Sequence, residues 1–156
     1  MKNYNYTVEN RFIKYVKIDT TADPLSQTFP SSIKQKDLAN VLVEELQAIG
    51  VKNVEMDKWG YVFGTIPSNS PKDNIPTICF CSHMDTAPDC SGTNVKPIVH
   101  RNYNGLPIML PDDNTQVITT EKHKYLKEKI GDDTQPQIAF LQQTRQFSKI
   151  PSRKFL

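Results

Sequence analysis

The sequence has few cysteines, little net charge and no long apolar run. Its three cysteines, Cys79, Cys81 and Cys90, are an odd number without a regular framework, which argues against a disulfide-stapled scaffold. The formal net charge is only +2, so charge does not favour binding to nucleic acid or to an anionic membrane. No apolar stretch approaches the ~20 residues of a membrane-spanning helix, and residues 1–20 lack the pattern of a signal peptide. These absences predict a cytoplasmic protein.

The first half of the chain predicts two helices and a hairpin. Apolar residues recur at helical spacing over Val8–Ile18. A second helix is predicted to be capped by Ser31 or Ser32 and to end at Gly50. Residues 51–66 contain two β-prone stretches around a turn, which predicts a hairpin. The predicted apolar stripe of the second helix comprises Leu38, Val41, Leu42, Leu46 and Ile49.

A continuous apolar run, Thr77–Cys81, follows the hairpin and predicts a strand that is buried on both faces. Its two cysteines are then predicted to be small core residues. Their spacing is tighter than the two to four intervening residues usual in zinc sites. The order helix, helix, hairpin and buried strand predicts an α/β sandwich. Beyond it, the pattern predicts short strands near 95–103 and 117–120 and a charged helix over 121–130 that ends at Gly131.

The segment that leaves this predicted strand carries the residues suited to chemistry. His83 and Asp85 are two residues apart, so on extended backbone they point to the same side. Ligand sites in α/β sheets gather at the carboxyl ends of strands. A neutral imidazole is a good zinc ligand, and a neighbouring carboxylate can fix its tautomer. Taken alone, however, such a pair is more often a loop histidine hydrogen-bonded to its neighbour.

The wider context of the pair resembles the peptidase T family. The run from His83 to Pro97 is similar to a family segment with His-x-Asp-Thr, then Pro-Asp, then Ser-Gly-x-Asn-Val-x-Pro. The resemblance extends over about residues 12–133. Upstream matches are Arg11–Val16 leading into Asp19 and Thr20, and Val43–Leu46 leading to Gly50, Asp57 and Gly60–Val62.

This resemblance implies a fold and an activity. The chain would be the N-terminal part of the α/β sandwich catalytic domain of a co-catalytic zinc peptidase, a domain into which the family inserts a lid or dimerisation domain. The family removes the N-terminal residue from tripeptides in the cytoplasm, and the intact enzyme is implied to be a homodimer. By the match, His83 is a ligand of one of two zinc ions, and Asp85 is the catalytic acidic residue that orients the site. The ion pair would lower the pKa of a shared water.

The other residues of the family's site do not occur in matching context. The bridging aspartate, a Glu-Glu pair that includes the general base, a further carboxylate ligand and a distant histidine are all missing from the match. The acidic pairs at 112–113 and 132–133 lack the Lys-x-Gly expected after a bridging aspartate. They are predicted to be solvated turn residues, and His100 and His123 are predicted to be surface histidines.

These departures predict two segments: residues 1–133, the N-terminal part of the catalytic domain, and residues 134–156, a divergent tail that is frameshifted or disordered. Codons for residues 140–144 can be chosen to spell Leu-Ala-Ala-Asp in another frame, so the nucleotide sequence tests the frameshift.

The predicted function is a zinc-dependent tripeptide aminopeptidase, truncated and inactive alone. One alternative is a non-catalytic α/β fragment or binding module without metal. Another is a complete small metalloprotein that uses His83 with Asp112 or Asp132.

Overall fold

The computed structural model describes residues 7–111 and 113–131, and the backbone of residues 138–140. The chain forms two compact units. One is Thr20–Pro88, and the other joins the segment that ends at Asp19 to the segment that starts at Asp89. The elements in chain order are α1 (Val8–Tyr15), α2 (Gln35–Ala48), β1 (Lys52–Met56), β2 (Val62–Thr65), β3 (Ile98–His100), β4 (Ile108–Leu110), β5 (Asp113–Ile118), a 3-10 helix (Lys124–Lys129) and β6 (Ile138–Phe140). This mixture of helices and strands confirms the predicted α/β class.

The start of helix α2 differs from the prediction. The helix begins at Gln35, and no side chain caps its first turn. Ser31 lies one turn earlier, where its hydroxyl oxygen accepts the backbone N–H of Asp23 and the side-chain amide of Gln35, each at 3.2 Å. The predicted serine cap is therefore wrong, because the loop that precedes the helix occupies the Ser31 hydroxyl.

The end of helix α2 agrees with the prediction. Gly50 has a φ of 89°, in the left-handed region that glycine adopts without steric cost. Its N–H donates to the carbonyl of Gln47, and the N–H of Val51 donates to the carbonyl of Leu46, both at 3.0 Å. These two bonds form a Schellman motif, which satisfies the last carbonyls of the helix. The predicted apolar stripe is buried or half-buried, except for Ile49, which is exposed.

Strands β1 and β2 form the predicted antiparallel hairpin, with Met56 opposite Val62. Asp57 organises its turn. The Oδ1 atom of Asp57 accepts the backbone N–H groups of Trp59 and Tyr61, both at 2.9 Å. The backbone N–H of Asp57 donates to the carbonyl of Tyr61 at 2.9 Å. Helix α2 lies against both strands, so the three elements form one packed structure within the unit Thr20–Pro88.

The second unit contains α1, the antiparallel pairs β3–β6 and β4–β5, and the 3-10 helix. Its core consists of Tyr103, Ile108 and the fully buried Leu126, with Ile118 packed against them. The predicted strands near 95–103 and 117–120 correspond to β3 and to the end of β5. The predicted helix over 121–130 is present as the shorter 3-10 helix. A bidentate ion pair between Glu9 and Arg101, with its shorter contact at 2.6 Å, ties α1 to the segment after β3.

The predicted buried strand Thr77–Cys81 is wrong. In the described segment 66–97 the backbone forms no strand, only an isolated bridge at Thr86. Ile78 is 73% exposed and Phe80 is 93% exposed. A strand becomes interior only when neighbouring strands pair with its backbone and helices cover its faces. Each sheet among the described residues is a single pair of strands, and none of them includes this run.

Several sequence predictions lie outside the described residues. Asp112, Asp132 and Asp133 are among them, as is the tail 134–156 apart from the backbone of residues 138–140.

Candidate functional site

His83 and Asp85 lie together at the end of the unit Thr20–Pro88. The Nδ1 atom of His83 is 2.9 Å from the backbone oxygen of Asp85 and 3.1 Å from its carboxylate Oδ1. A carbonyl oxygen can only accept a hydrogen bond, so Nδ1 carries the proton and donates it. The neutral ring therefore keeps its lone pair on Nε2, the other nitrogen. The tautomer that the contacts select is one that can bind a metal ion through Nε2.

The pair is accessible to solvent. The side chain of His83 is 83% exposed and that of Asp85 is 45% exposed. A polar contact between exposed side chains contributes little to folding, because water competes for both groups. Stabilisation of the fold is therefore a poor explanation of the contact, whereas an exposed imidazole held in one orientation is suited to ligand binding.

Backbone hydrogen bonds at Thr86 hold the segment that carries this pair. The N–H of Thr86 donates to the carbonyl of Thr20 at 3.1 Å, and the N–H of Ala22 donates to the carbonyl of Thr86 at 2.9 Å. Thr20 is buried, and its hydroxyl lies 3.5 Å from that of Thr86. These bonds fix the backbone immediately after Asp85. Sequence reasoning did not identify Thr20 or Thr86 as positioning residues, although both lie within segments that match the family.

The other candidate ligands do not join His83 and Asp85 in the described part of the chain. Asp113 uses its Oδ1 locally, to accept the N–H and the hydroxyl of Thr115 at 3.0 and 2.6 Å. His100 lies in β3, and His123 precedes the 3-10 helix with its ring against Tyr125. Both predicted surface histidines are half-buried, so part of each side chain reaches the surface. Among the described residues, no group of three or more His, Cys, Asp or Glu side chains could hold a metal ion.

The three cysteines divide into an exposed pair and a buried single thiol. Cys79 and Cys81 are exposed, with their sulfurs 3.5 Å apart, so the prediction that they are core residues is wrong. The hydrogen bond between the two thiols raises the pKa of Cys79, because it favours the protonated form of that thiol. Cys90 is buried, and this burial raises the pKa of its thiol, with a further contribution from the charge of Asp89. The cysteines of the run Thr77–Cys81 are thus open to reagents, and Cys90 is shielded.

Neither α1 nor α2, the α-helices of the described residues, has the length and hydropathy needed to cross a membrane.

Comparison with known proteins gives one consistent result. The chain is 46% identical over 124 residues to peptidase T of Halothermothrix orenii. The matched segment covers 80% of this chain and 30% of that protein. It is 47% identical over 122 residues to peptidase T of Alkaliphilus oremlandii, covering 78% and 30% of the two chains. Peptidase T of a Geobacillus species is 51% identical over 110 residues, covering 70% and 26%. No protein-family model matches the chain. The resemblance predicted from the sequence is confirmed, and the chain spans about 30% of the length of the first two relatives.

Proposed function

We propose that this chain supplies one segment of a zinc-dependent tripeptide aminopeptidase, because it is a relative of peptidase T. The match covers 26–30% of the length of those relatives. The observation that carries the proposal is the contact of His83 Nδ1 with Asp85, which leaves Nε2 exposed. In this proposal tripeptides are the substrates, the enzyme is cytoplasmic, and the whole enzyme is a homodimer.

The two residues have separate roles. His83 binds one zinc ion through Nε2. Asp85 is the catalytic acidic residue beside it, which accepts a hydrogen bond from the Nδ1–H group, holds the ring in its orientation and makes Nε2 a better electron-pair donor to the metal. Their contact at 3.1 Å fits this arrangement. When bound, zinc lowers the pKa of a coordinated water so that hydroxide is available near neutral pH. The bonds between Thr20 and Thr86 keep Asp85 in place while the ring binds.

These two groups are too few for catalysis. A catalytic zinc ion normally takes three protein ligands, and two co-catalytic ions need a bridging carboxylate as well. The contact between His83 and Asp85 supplies one imidazole and one supporting carboxylate, and no group of three metal-binding side chains occurs among the described residues. Neither is placed to act as the general base that accepts a proton from the attacking water. We therefore propose that the 156-residue chain does not hydrolyse tripeptides alone, and that further residues complete both zinc sites.

The same incompleteness supports the proposed fold of the whole enzyme. The exposed apolar run Thr77–Cys81 has the composition of an interior strand, and Ile78 and Phe80 face solvent. Pairing with further strands and cover by further helices would bury these side chains in an α/β sandwich. Residues 1–133 are proposed to be the N-terminal part of that catalytic domain, and residues 134–156 a divergent tail.

A chimaeric enzyme tests the proposal. The 124-residue matching segment of Halothermothrix orenii peptidase T is replaced by the corresponding segment of this chain, and the zinc-dependent release of the N-terminal residue of a tripeptide is measured. We expect an active chimaera that loses activity and bound zinc on His83→Ala. Asp85→Asn should lower activity about 10- to 100-fold, the usual effect of removing a partner of a metal-binding histidine. His123→Gln is the matched control and should leave activity unchanged.

Two results would contradict the proposal. One is a chimaera that keeps full activity and zinc content after His83→Ala, since His83 would then be no ligand. The other is hydrolysis by the purified 156-residue chain that is lost on chelation and restored by zinc, because the chain would then complete its own site.

A non-catalytic α/β module without metal is the second candidate. It is favoured by the finding that no group of three metal-binding side chains occurs in the described part of the chain. A chimaera that folds but neither binds zinc nor turns over a tripeptide, beside an active parent enzyme, would support this alternative.

A further inference from the structure

Cys79 and Cys81 place two thiols side by side on the surface. Both are exposed, and their sulfur atoms are 3.5 Å apart. The single intervening residue, Phe80, is 93% exposed, so the chain between the two cysteines is also open to solvent. Two side chains separated by one residue can point the same way, and here the two sulfurs meet.

The distance between the sulfurs suits a shared ligand atom. An ion that binds two thiolates at about 2.3 Å with a tetrahedral angle separates the sulfurs by about 3.8 Å. The observed 3.5 Å is within a few tenths of an ångström of that value, which small side-chain rotations can supply. A disulfide would require the sulfurs to approach to about 2.05 Å, within a loop that contains a single residue. The geometry therefore favours chelation over disulfide formation.

We propose that Cys79 and Cys81 form a dithiol site for a soft, thiophilic ion that is bound by both sulfurs at once. Thiolate ligands select soft ions, whereas carboxylates select hard ones. This preference separates the site from Asp85, although the two lie close in sequence. The proposal uses neither His83 nor Asp85, so its test is separate from that of the peptidase function. It concerns the 156-residue chain, in which both thiols are exposed. The cover of the run Thr77–Cys81 that is proposed for the whole enzyme would close this site.

Phenylarsine oxide is a suitable probe, because a trivalent arsenical binds two thiols in preference to one. In the reaction, two S–H bonds and the As–O bond break, two As–S bonds form, and one water leaves. No oxidant or reductant is needed. Intact mass measurement of the full chain should show one phenylarsenic group for each chain. The adduct should survive excess monothiol and be removed by dithiothreitol.

Serine variants identify the sulfurs. Cys79→Ser or Cys81→Ser removes one of the two bonds, and loss of this bivalency should weaken binding about 100-fold or more. Cys90→Ser is the matched control: it removes the buried thiol and should bind like the unaltered chain. Bound probe should also protect Cys79 and Cys81 together from alkylation by iodoacetamide. Both substituted sites are exposed, so the serine variants keep the packing of the chain.

The proposal fails if Cys79→Ser or Cys81→Ser binds the probe as tightly as the unaltered chain. It also fails if the adduct of the unaltered chain is removed by monothiol, since the two sulfurs would then not act together. A stoichiometry of two probes per chain would likewise show that each thiol reacts separately.

Discussion

Leu126 is the large apolar side chain that is fully buried in the described part of the second unit. It has 0% of its surface exposed and packs with Tyr103 and Ile108. Leu126→Ala removes three carbon groups, each worth about 0.8 kcal/mol of transfer free energy, or about 2.4 kcal/mol in total. The cavity left behind raises the expected loss to about 3–5 kcal/mol. Small domains have only about 5–15 kcal/mol of stability, so the variant should lose a large part of it.

Leu106→Ala is the matched control. Leu106 belongs to the same unit and is 63% exposed, and its backbone carbonyl, which accepts the hydroxyl of Tyr103, survives the substitution. An exposed leucine of this kind should change the free energy of unfolding by less than about 0.5 kcal/mol.

Urea unfolding followed by far-UV circular dichroism measures the difference between these two variants. Amide hydrogen exchange shows where it arises, since Trp59, the single tryptophan, lies in the other unit. Protection should fall over residues 89–131 in Leu126→Ala and persist in Leu106→Ala. Equal losses for the two variants, or unchanged protection around Leu126, would refute the assignment of this core.

Substitutions at three further positions test local features. Asp57→Ala removes the acceptor of the N–H groups of Trp59 and Tyr61 and should lower stability by about 1–2 kcal/mol, measured by Trp59 fluorescence in urea. Asp57→Asn keeps an acceptor and should lower it less; equal losses would contradict this role. Gly50→Ala should lower the stability by about 1 kcal/mol in the same assay, because a side chain is strained at a φ of 89°. No atom lies within 4 Å of the added carbon, so no clash adds to this loss, and Gly50→Asn should lower the stability less. Burial raises the pKa of Cys90, so native chain should be alkylated there more slowly than chain unfolded in urea. The protonated thiol of Cys90 favours the folded state. Its stabilisation is therefore complete below the pKa of this thiol in the unfolded chain and is lost as the pH rises through its pKa in the folded chain. Cys90→Ser should reduce this loss of stability at alkaline pH in urea titrations.

The proposed site combines a local contact with contacts between residues that are distant in sequence. Sequence spacing correctly indicated that His83 and Asp85 are neighbours, because two residues on extended backbone meet without help from the rest of the chain. It did not indicate the contribution of Thr20, because this residue reaches Thr86 across 66 positions of sequence. The roles of His83 and Asp85 in metal binding remain predictions that the chimaera tests.

By itself, the sequence determined the elements whose causes are local. Gly50 ends α2 because its backbone adopts a left-handed conformation, and Asp57 closes the hairpin because its carboxylate reaches N–H groups two and four residues ahead. The family resemblance was equally a property of the sequence. Tertiary structure alone decided the use of the Ser31 hydroxyl and the exposure of the run Thr77–Cys81. In each case the outcome depends on groups outside the local pattern. The backbone of Asp23 in the preceding loop uses the Ser31 hydroxyl, and an apolar run stays exposed where no neighbouring strand or helix covers it.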